Sequence, residues 1–150
     1  MITIRPAREA DVPRIGALFD LYRQFYEREP DLPAATSFIR ERLSRKESEI
    51  LVAETGDLHL IGFCQLYPLF CSLEAKPIYS LSDLFVLPDH RRLRAGRDLL
   101  LAAEQLAKAN GKARMDLTTA RTNVTAQTLY ESLGWLRDEV YFAYSRTLRR

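Results

Sequence analysis

Several features that mark specialised classes of protein are scarce or missing in this chain of 150 residues. Its two cysteines, Cys64 and Cys71, stand in apolar surroundings without the spacing of metal ligands. We expect both thiols to be reduced and buried, and we expect no metal site. No apolar stretch is long enough to span a bilayer, and the opening residues MITIRPAREADV lack the basic and apolar regions of a secretory signal. These absences favour a cytoplasmic protein without a membrane partner.

A strong charge of either sign is also missing. The chain carries 22 Lys and Arg against 20 Asp and Glu, with a net charge of +2 and a pI near 8.6. A dedicated nucleic-acid-binding domain is usually far more basic, so we expect no nucleic-acid partner. Apolar residues make up 47% of the chain, which suits one globular domain with a core. We therefore predict a single domain over residues 1–150.

Alternating and helical patterns of apolar residues predict an α/β fold. The predicted strands lie in ITIRPA, EILVAETGDLHLIGFCQLYPLF (two strands), KPIYSLSDLFVLP, ARMDLTTA and DEVYFAYSRTL. The predicted helices lie in EADVPRIGALFDLYRQFY, AATSFIRERLSRK, AGRDLLLAAEQLAKANG and NVTAQTLYESLGW. The order is β-α-α-β-β-β-α-β-α-β, which predicts a mixed sheet with helices on both faces.

Short signals place the ends of these elements. Asp11 is a candidate N-cap with Pro13 in the first helical turn, and Gly111 stands where a helix ends on a glycine. Residues 55–57 predict a tight turn between two strands, which leaves His59 exposed.

The segment HRRLRAGRDLL joins a predicted strand to a predicted helix and contains four arginines, Arg91, Arg92, Arg94 and Arg97. Free backbone N–H groups and the positive end of the helix dipole meet at such a junction, where a phosphate would bind well. A solvated basic turn is the alternative for this segment taken alone. Nucleic acid is disfavoured because no stacking aromatic residue is interleaved with the charges.

A second segment makes the interpretation of the arginine segment more specific. The segment NVTAQTLYESLGW follows a predicted strand, about forty residues after LSDLFVLPDHRRLRAG. Together they resemble the GNAT family of N-acetyltransferases, and the diamine (polyamine-type) acetyltransferases most. The resemblance covers nearly the whole chain and is strongest from Ser80 to Trp135. It implies a single GNAT domain with a mixed, mostly antiparallel sheet, an acyltransferase that uses acetyl-CoA as cosubstrate, and frequent homodimers.

The resemblance also implies the residues that hold the cosubstrate. Leu84, Phe85 and Val86 would offer backbone groups to the acetyl and pantetheine portion, and Asn123 would touch the pantetheine arm. The family's pyrophosphate loop, Gln/Arg-x-x-Gly-x-Gly/Ala, corresponds here to Arg91, Arg92, Leu93, Arg94, Ala95 and Gly96, followed by Arg97. Arg94 replaces the first glycine, and we expect it to fit with a negative φ.

Catalytic roles follow from the chemistry of direct acyl transfer. The resemblance places Tyr130 near the sulfur, where a phenol suits the protonation of a leaving thiolate. The Val86 N–H is a candidate for stabilising the oxyanion. Asp83 is the best-placed carboxylate for the acceptor ammonium, as its base, its anchor or the end of a water relay. The polyamine branch has a glutamate before this aspartate, whereas this chain has Ser82.

The acceptor side is predicted in the segment DLYRQFYEREPD. Tyr22 and Tyr26 share a helix face, one of them as a candidate core residue, and with Glu27 and Asp83 they predict an aromatic and acidic pocket. Such a pocket favours a small cationic primary amine. Two alternatives stay open: a protein or peptide N-acetyltransferase, and a non-catalytic acyl-CoA-binding module. The apolar C-terminal segment EVYFAYSRTL makes a homodimer possible.

Overall fold

A computed structural model describes residues 1–149, and of Arg92 and Leu93 it describes the backbone alone. Predictions about those two side chains therefore lie outside the described residues. The chain divides into two compact units, Met1–Thr118 and Thr119–Arg150. The first unit contains five strands and three α-helices: β1 Ile2–Pro6, α1 Val12–Phe25, α2 Leu32–Ser44, β2 Glu49–Thr55, β3 Leu60–Cys71, β4 Lys76–Val86, α3 Ala95–Ala109 and β5 Met115–Asp116. The second contains α4, Val124–Ser132.

The five strands form one sheet in the order β1-β2-β3-β4-β5. The first three pairs are antiparallel, whereas β5 runs parallel to β4 and pairs with it only at Tyr79 and Ser80. The predicted mixed, mostly antiparallel sheet is thus confirmed. Because β5 pairs so briefly, the β4 backbone beyond Ser80 lies outside the β5 ladder.

Helices cover both faces of this sheet. On one face α1 and α2 bury Ile15, Phe19 and Ile39 against Phe63 of β3 and Phe85 of β4. The buried side chains of α3 lie outside that cluster: Ala95, Leu99, Leu100, Ala103 and Ala107. Helix α3 packs against β2, β3 and β4 with them, and the spacing of three and four residues explains why this sequence forms an amphipathic helix.

Helix ends agree with most of the sequence signals. Helix α3 spans the predicted residues and ends before Gly111, whose φ of +70° suits glycine. Pro13 lies in the first turn of α1, but Asp11 precedes that helix without capping it through its side chain. The Asp11 carboxylate instead binds Arg5, Arg14 and the Arg8 N–H, because two guanidinium groups compete more strongly for it than a helix N–H.

The second unit differs from the prediction at its end. Asn123 precedes α4, and its Oδ1 accepts a 3.2 Å hydrogen bond from the Ala126 N–H. The predicted final strand in DEVYFAYSRTL is wrong: residues 141–149 have no assigned secondary structure, and nearby bonds are local, such as Val140 N–H to Asp138. Alternation of apolar residues indicates an extended segment, but a strand also requires a paired edge, which the pattern does not supply.

Within residues 1–149 no helix is long and apolar enough to cross a membrane. Over the same range no group of three or more His, Cys, Asp or Glu side chains could hold a metal ion.

Candidate functional site

Asp83 lies in β4, where groups from α1 and β3 converge on its carboxylate. Its Oδ2 accepts a 2.8 Å hydrogen bond from Nε2 of Gln65 in β3. The hydroxyl of Tyr22 in α1 also hydrogen-bonds with Asp83, and it lies 3.2 Å from the carbonyl oxygen of Ser82. The aspartate is half-buried, so it is oriented by the protein and still accessible.

The environment of Asp83 changes its basicity. Burial raises the pKa of the Asp83 carboxyl above its usual value, because the charged form loses solvation. The hydrogen bonds from Gln65 and Tyr22 lower the pKa in part by stabilising the charge. A carboxylate with a raised pKa accepts a proton more readily than an exposed aspartate does.

Aromatic rings form a wall beside this carboxylate. The ring of Tyr22 meets Phe63 and Phe85 edge-on, with centroid distances of 5.9 and 6.1 Å. Tyr26 follows at 5.2 Å from Tyr22 with an interplanar angle of 70°, and it is 46% exposed. Tyr22 therefore packs partly against the core, whereas Tyr26 lies at the rim, so the two predicted tyrosines occupy different depths of one cluster.

The backbone of β4 presents groups next to Asp83 that face away from β3. In an antiparallel pair, opposed residues alternately exchange two hydrogen bonds or none. Since the Leu87 N–H donates to the Ile61 carbonyl at 2.8 Å, the register places Phe85 in the bonded set opposite Phe63. The backbone groups of Leu84 and Val86 consequently point away from β3. Of the three residues predicted to offer backbone groups, Leu84 and Val86 have the required direction, while Phe85 contributes its ring to the aromatic wall.

The predicted phosphate loop is a 3-10 turn, Pro88–Leu93, that leads into α3. Arg94 joins the two with φ +61° and ψ 18°, so the expected negative φ is wrong. A left-handed residue reverses the chain between the turn and the helix, and for a non-glycine residue it costs about 1–2 kcal/mol. Arg94 makes no side-chain capping hydrogen bond to the first turn of α3. Ala95, Gly96 and Arg97 form that turn, whose N–H groups have no intrahelical partner.

Arg91 ties this loop to the end of β4. Its Nε donates a 3.0 Å hydrogen bond to the Val86 carbonyl oxygen. Its guanidinium lies 5.9 Å from the ring centre of Phe25 and 5.8 Å from that of Phe85. The bond occupies the Val86 carbonyl and leaves the N–H of the same residue as the group facing the open edge.

Asn123 and Tyr130 belong to the second unit. Asn123 serves as the N-cap of α4. The ring of Tyr130 lies 6.1 Å from that of Trp135 with an interplanar angle of 52°. Their predicted roles toward the cosubstrate stay predictions.

The structure also places Glu27, the two cysteines and His59. Glu27 is exposed just after α1 with φ +62°. Cys64 is free and buried, and burial raises the pKa of its thiol to about 12, which keeps it protonated and inert. Cys71 is also free but only half-buried, contrary to the expectation that both are buried, because β3 extends beyond the helices there. The exposed position predicted for His59 is confirmed at 77% side-chain exposure.

Sequence reasoning missed Gln65 and Ser48. Gln65 is fully buried, and its Oε1 accepts a 2.7 Å hydrogen bond from the Ser48 hydroxyl. A signal was available: Gln65 is the one polar residue in the run LIGFCQL, and a buried amide requires partners.

The arrangement in the first unit fits the expected acetyl-CoA. Leu84 and Val86 offer outward-pointing backbone groups that suit an extended amide-containing arm. The free N–H groups at the start of α3, with exposed Arg94 and Arg97, suit a pyrophosphate. Asp83 is adjacent to the first of these features along the same strand.

Comparison with known proteins agrees with the family that the sequence motifs resemble. The acetyltransferase (GNAT) family matches residues 15–135, a range that spans both units. An uncharacterized N-acetyltransferase, YhfO of Bacillus subtilis (strain 168), is 43% identical over 143 residues, covering 95% of each chain. A crystal structure of a probable acetyltransferase has a TM-score of 0.92 and 34% identity, covering 99% of each chain.

More distant structures share the fold alone. The crystal structure of an aminoglycoside acetyltransferase from an uncultured soil metagenomic sample, in complex with sisomicin, has a TM-score of 0.81 at 20% identity, with 99% of this chain and 97% of that chain covered. With the family match and the 43% identical relative, the chain belongs to the GNAT family of acetyltransferases and is an enzyme that transfers acetyl groups.

Proposed function

We propose that this enzyme transfers the acetyl group of acetyl-CoA directly to a primary amine on a small cationic acceptor. The observation that carries the proposal is the position of Asp83. Its carboxylate hydrogen-bonds with Tyr22 of α1, and it lies on the same strand as Leu84 and Val86, whose backbone groups face away from β3. An acceptor held there would meet a negative charge on one side and the acyl donor on the other.

The acceptor must lose a proton before it attacks. An alkyl ammonium with a pKa of about 10.4 has no lone pair and is neutral in only about one molecule in a few thousand at pH 7. Asp83 attracts the ammonium and takes its proton, directly or through one water molecule. The raised pKa of its carboxyl supports this assignment, because a stronger base competes better for that proton.

Other groups act on the thioester end. The bound cosubstrate supplies an activated acetyl group, so no acyl-enzyme is required. The Val86 N–H donates to the carbonyl oxygen as negative charge develops on it. Tyr130 donates a proton to the departing sulfur. The residues assigned to hold the cosubstrate are Leu84, Val86, Asn123 and the segment 91–97.

The acceptor class follows from charge and aromatic character. Carboxylates attract a cation, and a tyrosine face adds about 0.5–2 kcal/mol of cation–π attraction. Tyr22, Tyr26, Glu27 and Asp83 would form this pocket, which suits polyamines, diamines and lysine-like amino acids. One fold neighbour is described as an aminoglycoside acetyltransferase, and aminoglycosides are also polycationic amines.

A coenzyme-thiol release assay over a panel of acceptors tests the proposal. The panel contains polyamines, diamines, aminoglycosides, neutral amino-sugars, acidic amino acids and a lysine-containing peptide. We expect cationic amines to give the highest kcat/KM, and Asp83→Asn to lower it by about 10²- to 10⁴-fold, the usual contribution of a general base. Asp57→Asn makes the same chemical change at an exposed hairpin residue and should have no effect.

Other outcomes would redirect the assignment. A preference for acidic acceptors, or an unchanged kcat/KM for cationic amines in Asp83→Asn, would overturn it. A peptide preferred over every free amine would favour the protein N-acetyltransferase alternative. The homodimer also stays a proposal, which sedimentation equilibrium of the full chain tests directly, and so does the cytoplasmic location.

A further inference from the structure

Gln65 is a buried amide whose two polar ends are both engaged. It lies in β3 opposite Asp83 of β4 and is fully buried. Ser48, immediately before β2, is 9% exposed, and its hydroxyl donates to Gln65 Oε1 at 2.7 Å. The other end, Nε2, donates to Asp83 Oδ2 at 2.8 Å. The three side chains thus form a chain of hydrogen bonds from a buried hydroxyl to the half-buried carboxylate.

This chain has a defined direction. An ionised carboxylate accepts hydrogen bonds but donates none, so the end of the amide that faces Asp83 is its NH₂ group. The carbonyl end then faces Ser48, whose hydroxyl supplies the matching donor. Rotating the amide by half a turn would oppose two acceptors at Asp83, which is costly in a buried site. The carboxylate therefore fixes the orientation of the amide, and Ser48 supplies the donor for its carbonyl end.

We infer that Gln65, supported by Ser48, is a positioning residue that holds Asp83 ionised and fixes the direction of its carboxylate toward the acceptor amine. The inference deepens the proposed function and rests on the role of Asp83 given there. By binding Oδ2, Gln65 restricts rotation of the carboxylate.

Two titratable groups of β3, the Cys64 thiol and the Tyr67 phenol, lie near the charge of Asp83, and the Tyr22 hydroxyl of α1 hydrogen-bonds with it. Burial and the Asp83 charge raise the pKa of Tyr67 to about 12, and burial with the same charge raises that of Cys64 to about 12. Of Asp83, Cys64 and Tyr67, Asp83 is therefore the one whose titration can produce an acid limb in the pH–rate profile.

The test compares Gln65→Leu with wild type, using two readouts. Leucine has a similar volume but no donor, so the pKa of Asp83 should rise. The acid limb of kcat/KM then moves to higher pH, and kcat/KM at pH 7 falls about tenfold, as expected for a lost hydrogen bond to a charged group. The second readout is the ¹³C carboxyl titration of Asp83, assigned by its absence in Asp83→Asn. The acid limb of kcat/KM and the ¹³C titration of Asp83 should both shift to higher pH in Gln65→Leu.

Two further variants complete the experiment. Ser48→Ala keeps the amide but releases its far end, so we expect a smaller shift in the same direction and a variant that folds even if Gln65→Leu does not. Gln105→Leu makes the same substitution at an exposed position of α3 and should leave the profile unchanged.

The outcomes separate this inference from the proposed function. An unchanged Asp83 titration in Gln65→Leu or Ser48→Ala overturns the inference. A shifted titration with an unmoved acid limb also overturns it, since Gln65 would then act on the carboxyl without affecting the reaction. If Asp83→Asn itself retains full activity, the proposed function fails, and the inference built on it fails for that separate reason.

Discussion

Arg94 adopts a backbone conformation that glycine adopts most easily, with φ +61° at the start of α3. We expect Arg94→Gly to stabilise the protein by about 1 kcal/mol, because it removes the left-handed strain of a residue with a Cβ. For a chain of this length that raises Tm by about 2–4 °C, which differential scanning calorimetry would resolve.

Arg94→Ala separates the backbone from the charge. Alanine also loses the guanidinium but retains the Cβ, so its Tm should stay near that of wild type, while both variants weaken acetyl-CoA binding alike. Equal Tm values for the glycine and alanine variants would show that residue 94 is not strained.

Tyr130 is the residue assigned to protonate the leaving thiolate. Tyr130→Phe retains the ring beside Trp135 and removes only the hydroxyl. General acid catalysis contributes about 10²- to 10⁴-fold, so we expect kcat to fall within that range at pH 7 with the affinity for acetyl-CoA nearly unchanged. Pre-steady-state kinetics would establish that the chemical step is the one slowed.

Tyr79→Phe is the control, because it removes a tyrosine hydroxyl outside the candidate site. Tyr79 lies on β4 where that strand pairs with β5, and its hydroxyl accepts a 2.7 Å hydrogen bond from Nδ2 of Asn110. The substitution should lower stability without this loss of kcat. A wild-type rate for Tyr130→Phe with chemistry rate-limiting would make Tyr130 a packing residue.

Among the elements, α3 connects the fold most directly to cosubstrate binding. Gly96 is in its first turn, where N–H groups are free and an acidic side chain is favourable for the helix. Gly96→Asp should therefore fold well but place a carboxylate where the pyrophosphate is expected to bind. We expect acetyl-CoA binding to fall below detection in isothermal titration calorimetry.

Gly96→Ala distinguishes charge from bulk. It adds one methyl group without charge, so its affinity should lie between those of wild type and Gly96→Asp. Unchanged affinity in Gly96→Asp would remove α3 from the binding site and leave the basic segment as a solvated turn.

Helix α3 also shows why part of the fold could be predicted from sequence. Its apolar spacing, its closing glycine and the preceding Pro88 are local signals, and the helix spans the predicted residues Ala95–Ala109. The final strand failed for the opposite reason. Pairing is a tertiary event, and the alternation after Asp138 describes one chain without its partner edge.

The candidate site also contains residues that the sequence indicated and residues that it did not. Asp83 and the arginine segment could be selected because their residue types and order match a known pattern. Gln65 could not be assigned a role, since its partner Ser48 is 17 positions away and Asp83 is 18 away. The positive φ at Arg94 had a signal, because the family that the chain resembles has glycine at this position, and glycine adopts such a conformation most easily.

At the scale of the first unit, an ion network around the buried Asp11 joins three elements, β1, α1 and β2. Asp11 has a side chain 1% exposed and binds Arg5 of β1 at 2.8 Å and Arg14 of α1 at 2.6 Å. Arg5 continues to Glu54 of β2 at 3.0 Å. The Arg5 guanidinium holds the pKa of the Asp11 carboxyl well below its usual range.

This depressed pKa fixes the direction of the dependence of stability on pH. A carboxyl with a lower pKa in the folded state stabilises the fold above its unfolded value of about 3.9. The contribution is lost as pH falls from there through the folded pKa. Acid should therefore destabilise the protein through Asp11 below about pH 4.

Asp11→Asn tests the network as a whole. At pH 7 it leaves two arginines facing a neutral amide, and breaking a buried pair costs about 3–5 kcal/mol. We expect urea denaturation to show a loss of that order, shrinking as pH falls below 4 because the carboxyl then binds a proton in the unfolded wild type before it does so in the folded protein. Asp57→Asn, at a side chain 72% exposed, should change stability by less than about 0.5 kcal/mol. A gap between wild type and Asp11→Asn that is the same at pH 3 and pH 7 would mean that Asp11 contributes shape and hydrogen bonds rather than charge.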